Sequence, residues 1–443
     1  MPRTTQIFCA STLYGAATLA AAVEAGRFSE PDRRVLLVFN NAAVPETTPG
    51  VHEMPGFAAL RRHFDEVLSF NDAISPLHPA AWSPRQDDIP LLERYLRTLW
   101  RLGDDRVELV LESLQVNPAL AFASLFTGAP IHAYADGLMS YGPTRNKIDP
   151  LIGTRVRRLL HLDLVPGLRP VLLGEFDVPP EIVPAENFLK VLGALAGASG
   201  EVPAVPEGAA LLLGQYLSAL GILTPDEETR LHVRMMRGAV ARGHRTLVFK
   251  PHPMAPADDE PALAAEAERL GVDLTVVGEP VLAEVLFDRA RPALVVGCFS
   301  TALFTASAFY GLPVARIGTG TLLDRLAPFQ NSNRIPLVLA DALLPDLEAA
   351  HPADPLPPER LAGLVDAVSF AMQPQVLPAL RPAAERFLSE HFDERVQRYF
   401  KRRRLTVLAL PGGLPQRLGF LPRNSTARRV ARRARRTWRA VRS

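Results

Sequence analysis

Cysteine is nearly absent from this 443-residue chain: only Cys9 and Cys298 occur. Both sit at the ends of apolar segments far apart in sequence, which argues against a disulfide framework and fits a reducing compartment. Long apolar runs are missing too, since each is broken by Pro, Gly or charge, so no membrane span is expected. The Ala-rich stretch 16–22 has a weak basic start and continues into Val23-Glu24-Ala25-Gly26, which reads as a first helix rather than a signal peptide. There is no HExxH, CxxC or clustered His-carboxylate set, so no metal centre is expected. A Walker loop and GxGxxG are also absent, which removes the motif-defined nucleotide-binding classes. Acid is lacking from 423–443, where nine arginines occur; taking these nine from the net charge of +2 leaves residues 1–422 at −7.

The remaining pattern is that of a globular α/β protein of more than one domain. Short apolar segments at 6–10, 34–39, 66–70, 107–112 and 130–134 alternate with helical stretches at 16–25, 91–102 and 118–126. This alternation implies right-handed crossovers and a parallel sheet. Pro179, Pro180, Pro184, Pro203 and Pro206 mark 174–207 as a linker. The same grammar restarts with strands at 209–213, 245–249, 272–277, 293–296 and 312–317. Helices are expected at 225–242, with Thr224 as N-cap and Gly243 as stop, and at 261–270 and 301–310. The organisation predicted is a first unit over 1–185, a second over 208–340, helices over 341–405 (one at 358–372, one long and amphipathic at 377–400) and a basic tail at 423–443.

Three short motifs follow strand segments, where parallel sheets bind ligands. Asp136 lies just beyond strand 130–134, with Gly137 freeing the backbone behind it. A carboxylate there can act as general base on a hydroxyl; an Asp-Gly turn or a helix cap is the bland alternative. His252 stands in Lys250-Pro251-His252-Pro253, whose prolines restrict where the imidazole points. With Lys250 adding positive charge it could stabilise a phosphate leaving group; a stiff surface turn is the alternative. Ser300 and Thr301 open a helix, so they cap free amides, bind an anion there, or do both. His132, His161 and His244 have no such framing.

An acid-Asp-Gly motif, a downstream His-Pro and then a hydroxyl pair, in this order, resemble the bacterial alpha-2,8-polysialyltransferase-like family and its lipooligosaccharide sialyltransferase relatives, over about residues 5–330. The resemblance implies a GT-B fold, two Rossmann-like domains facing a cleft. It implies inverting, metal-independent transfer of sialic acid from CMP-sialic acid to a glycan hydroxyl, with no cofactor. Asp136 would be the base and His252 would stand beside the CMP phosphate with Ser300 and Thr301. Glu284 would hold the cytidine ribose, with Glu279 as fallback, and Gln215 would line the cleft after Gly214. One departure stands out: the family's first acidic position is Ala135 here. A donor carrying another CMP-activated acidic sugar such as Kdo remains open, as does a noncatalytic nucleotide-sugar or polyanion binder.

Arg428–Arg442 spaces arginines every three to four residues around Val430, Ala434, Trp438 and Val441. Such a segment suits an anionic membrane surface or a polyanionic glycan, and a solvated tail is the plain alternative. Nucleic acid is the rival partner; an acidic body without a nucleic-acid-binding motif speaks against it. A cytoplasmic protein, peripheral at the inner face of the membrane and acting on cell-surface glycan, is the resulting expectation.

Overall fold

A computed structural model describes residues 3–200, 205–252 and 260–414. In the first half, strands β1 (Thr4–Ala10), β2 (Arg33–Val38), β3 (Glu66–Ser69), β4 (Arg106–Glu112), β5 (Ile131–Ala135), β6 (Val156–Leu162) and β7 (Pro180–Val183) form one parallel sheet, in the order β3-β2-β1-β4-β5-β6-β7. In the second half, β8 (Ala210–Leu213), β9 (Thr246–Lys250), β10 (Asp273–Val276), β11 (Leu294–Gly297) and β12 (Val314–Arg316) form another, in the order β10-β9-β8-β11-β12. Helices cover both faces, which is why central strands are buried: β8 is apolar along its length and β1 over residues 7–10. The result is two Rossmann-like units facing a cleft, the GT-B type of architecture the sequence predicts.

The strand order reverses between β1 and β4 in one sheet and between β8 and β11 in the other. Loops leaving the strand ends on either side of a reversal diverge and open a crevice. Local chemistry sets the helices that follow. Thr12 caps the first helix, Leu13–Glu24, by accepting from Gly15 N at 2.9 Å. Thr224 caps Pro225–Ala241 in a capping box with Glu227, and Gly243 ends that region at φ +95°, as the sequence indicates.

Two expectations need correction. The segment 174–207 is not a bare linker: it holds β7 and a 14-residue helix, Ala185–Ala198. The prolines that suggest a linker lie outside that helix, and Phe188, Val191, Leu192 and Leu195 give it one buried stripe. Nor is 377–400 one long helix. It breaks into Arg381–His391 and Glu394–Gln397, because the Asp393 carboxylate accepts from Val396 N at 2.9 Å and starts a new helix. The helix at Pro358–Met372 forms where the pattern places it. Beyond its end, Gln373 Nε2 donates to Arg145 O at 2.5 Å, tying this region to the first half.

No helix among the described residues is long and apolar enough to cross a membrane. The basic tail at 423–443 and Pro253 lie outside the described residues.

Candidate active site

One wall is built at the ends of β1, β4 and β5. After β1 the chain turns through Ser11 and Thr12 into the first helix. Ser11 Oγ donates to Glu112 Oε2 at 2.6 Å, and Thr12 Oγ1 donates to Asp136 Oδ2 at 3.5 Å. Consecutive hydroxyls thus hold two carboxylates, one from the end of β4 and one from just past β5. Gly15 permits this closeness: a Cβ there would meet Thr12 Oγ1 at 3.0 Å, Tyr134 Oη at 3.1 Å and Asp136 Oδ2 at 3.2 Å. The first turn of the helix therefore backs directly onto Asp136. Burial, then the neighbouring Glu112 charge, pushes the Asp136 carboxyl up to about 7, against the opposing pull of its own backbone amide and Thr12. Burial also raises Glu112, opposed by the Ser11 bond. Just beyond Glu112, Ser113 and Leu114 sit at φ +36° and +53°, a left-handed backbone that L-residues adopt at a cost of about 1–3 kcal/mol each.

The facing wall comes from the ends of β8, β9 and β11 and from the loop leaving β10. Gly214 lies so close to β9 that a Cβ would stand 2.9 Å from the Phe249 ring and 3.1 Å from Pro251 Cα. Gln215 N donates to His232 Nε2 at 3.4 Å. The next residue, Tyr216, lays its ring 4.0 Å from the His252 imidazole at a 31° tilt. Burial, and then the Lys250 charge, push His252 down to about 4, so the imidazole is neutral at pH 7. Lys250 is buried with its Nζ donating to Glu279 O at 2.9 Å, and burial lowers it to about 8. Ser300 caps the helix Thr301–Ala308, accepting from Ala302 N at 3.3 Å, so the capping role is realised. Glu284, in the first turn of the helix Ala283–Ala290, is 3% exposed and raised by burial to about 7, opposed by its own backbone amide and Thr305.

The walls meet at two points. A Cβ on Gly137 would lie 2.9 Å from Thr301 Oγ1, so the Asp-Gly turn abuts the hydroxyl pair. Tyr14, on the first helix, has its hydroxyl 3.0 Å from Thr305 Oγ1 in the second half. Between them is a cavity of about 460 Å³, within the range usual for small-molecule sites. Asp136, Gly137, Gln215, Lys250, His252, Glu284, Ser300 and Thr301 all line it. The fallback Glu279 does not line it but offers its carbonyl to Lys250. Thr12, Tyr14, Glu112, Tyr216 and Asn333 also line the cavity and are missed by the motif reading. Glu112 carried a usable signal, a charge ending an otherwise buried strand; Tyr14 and Asn333 carried none. No cluster of three His, Cys, Asp or Glu suited to a metal ion occurs among the described residues.

A family model described as alpha-2,8-polysialyltransferase matches residues 6–319. The chain belongs to that family. This polysialyltransferase-family protein is thus a sialyltransferase-like glycosyltransferase. No curated protein matches it. Solved structures with a related fold include the GT-B domain of a sialyltransferase from Photobacterium damselae, with 13% identity over 76% of this chain and 95% of that one and a TM-score of 0.40. MurG from Acinetobacter baumannii has 11% identity over 86% and 95%, with a TM-score of 0.40. UGT2 from Phytolacca americana, in complex with UDP-2-fluoroglucose and pterostilbene, has 11% identity over 89% and 100%, with a TM-score of 0.41. Likenesses this distant carry nothing about chemistry.

Proposed function

We propose that the protein moves sialic acid from CMP-sialic acid to a glycan hydroxyl, with inversion and without a metal or cofactor. The observation that carries this reading is the single cavity with an elevated carboxyl on one wall and Lys250, His252 and a capped helix N-terminus on the other.

Asp136 takes the acceptor hydroxyl's proton as the oxygen attacks sialyl C2. The bond from C2 to the CMP phosphate oxygen breaks, and that oxygen leaves with the negative charge. A carboxylate raised to about 7 is ionised above neutrality and is a stronger base than an ordinary one. His252, Lys250, Ser300, Thr301 and the free amides of the helix they open receive the phosphate. The neutral imidazole suits this either as a hydrogen-bond donor or by taking up a proton once the phosphate arrives. Glu284 holds the cytidine ribose by exchanging its Thr305 bond for the sugar hydroxyls. Gly137 and Gln215 present backbone to the substrates. The acceptor is a glycan or glycolipid at the inner face of the membrane, where 428–442 meets anionic headgroups.

Thermal-shift measurements with CMP, CMP-sialic acid, CMP-Kdo, UDP-sugars and GDP-sugars test the donor. Stabilisation by CMP and CMP-sialic acid is expected. Stabilisation by UDP-sugars but not by CMP would contradict the reading, and a response to CMP-Kdo alone would move it to that sugar.

A further inference from the structure

We infer that Glu112 is a positioning residue for Asp136, supplying from the neighbouring strand the second carboxylate that residue 135 does not carry. This rests on Asp136 being the base, as proposed above. Residue 135 itself carries no acid: Ala135 is 5% exposed, lines the same cavity and belongs to the apolar cluster with Leu111, Ala133 and Ile152. The parallel register pairs Glu112 with Tyr134, so the end of β4 stands beside the residues that lead to Asp136. Glu112 and Asp136 line the same cavity, and the adjacent hydroxyls of Ser11 and Thr12 fix one carboxylate each, at 2.6 and 3.5 Å. Among the described residues no lysine or arginine is bonded to either carboxylate.

Two neighbouring half-buried carboxyls without a cation do not both ionise readily, and through the neutral range they hold a proton between them. The surrounding groups leave this intact. Tyr134 from β5, Tyr14 from the first helix and Cys9 from β1 are all raised and uncharged at pH 7. Glu284 lines the same cavity from the second half, and Lys250 and His252 stand on the opposite wall. Glu112 therefore keeps Asp136 a stronger base than an isolated aspartate in the same place.

The test is Glu112→Gln, read in two ways: the pH profile of kcat/KM for sialyl transfer, and the titration of Asp136 by carbon NMR of labelled aspartate, with the Asp136→Asn spectrum assigning the signal. Removing the Glu112 charge is expected to move the Asp136 titration and the acid limb down by about one pH unit. Transfer at pH 8 should fall roughly threefold to tenfold, with CMP affinity unchanged. Glu112→Asp should restore much of the profile, and Ser11→Ala, which only frees the Glu112 carboxylate, should give a smaller shift in the same direction. An Asp136 titration that stays in place in Glu112→Gln overturns the inference. The NMR readout needs no donor, so it decides the pairing even if sialyl transfer proves not to be the reaction.

Discussion

The cleft wall from the first half and the wall from the second half are built on the same kind of strand order, yet they carry opposite chemistry. At the β1/β4 reversal stand two carboxyls, Glu112 and Asp136, held by hydroxyls. At the β8/β11 reversal stand a lysine, an imidazole and the start of a helix, with the buried Glu284 nearby. Burial acts on both walls in the same sense, against charge. It raises Asp136 and Glu284 to about 7 and lowers Lys250 to about 8 and His252 to about 4. At pH 7 Lys250 therefore stays mostly charged, Asp136 and Glu284 are partly ionised, and His252 is neutral. A similar strand-order reversal thus carries carboxyls on one side and a lysine, an imidazole and a helix start on the other, set by the residues at the strand ends.

The largest effect that would sharpen this contrast is Asp136→Asn, expected to lower transfer by about 10²–10⁴-fold without weakening CMP binding, as kinetics beside a binding titration would show. His252→Ala is expected to lower transfer about 10²-fold and to weaken CMP as well, so the two substitutions separate the walls. Gly137→Ala should cost roughly tenfold by pushing the Asp-Gly turn off Thr301, where the added Cβ would sit at 2.9 Å. A double substitution with Thr301→Ala should then lose less than the two single effects combined, since the clashing hydroxyl is gone.

The smallest effect is on stability. Asp136 and Glu284 have folded values near 7, above their ordinary values of 3.8 and 4.5, so the folded protein binds these protons more tightly than the unfolded chain. Their contribution is full below about pH 4 and is lost as pH rises through 7. Melting curves should therefore show Asp136→Asn and Glu284→Gln gaining stability relative to the parent at pH 8 and little or none at pH 4. Equal differences at both pH values would remove the electrostatic account of these two carboxyls.

Much of the scaffold was legible because strands buried on both faces leave apolar runs; β2, β8 and β11 do so, as do residues 7–10 of β1 and 109–111 of β4. β6 was not, because Arg157, Arg158 and His161 interrupt its run. The helix Ala185–Ala198 hid among prolines that lie on either side of it. Asp136, His252, Ser300 and Thr301 could be found because each follows an apolar strand within a few residues. Glu112 carried a signal as a charge ending a buried strand, and the register that sets it beside Tyr134 shows where that charge stands. Tyr14 reaches Thr305 across 291 residues of sequence, a contact no local pattern encodes.

The central claim is that the base and the phosphate receptor sit on separate walls. Calorimetric titration of CMP into the parent, Asp136→Asn and His252→Ala proteins at pH 7.5 tests it most directly. Parent-like affinity in Asp136→Asn together with affinity weakened at least about tenfold in His252→Ala is the predicted result. Loss of CMP binding in Asp136→Asn, or parent-like binding in His252→Ala, would contradict it.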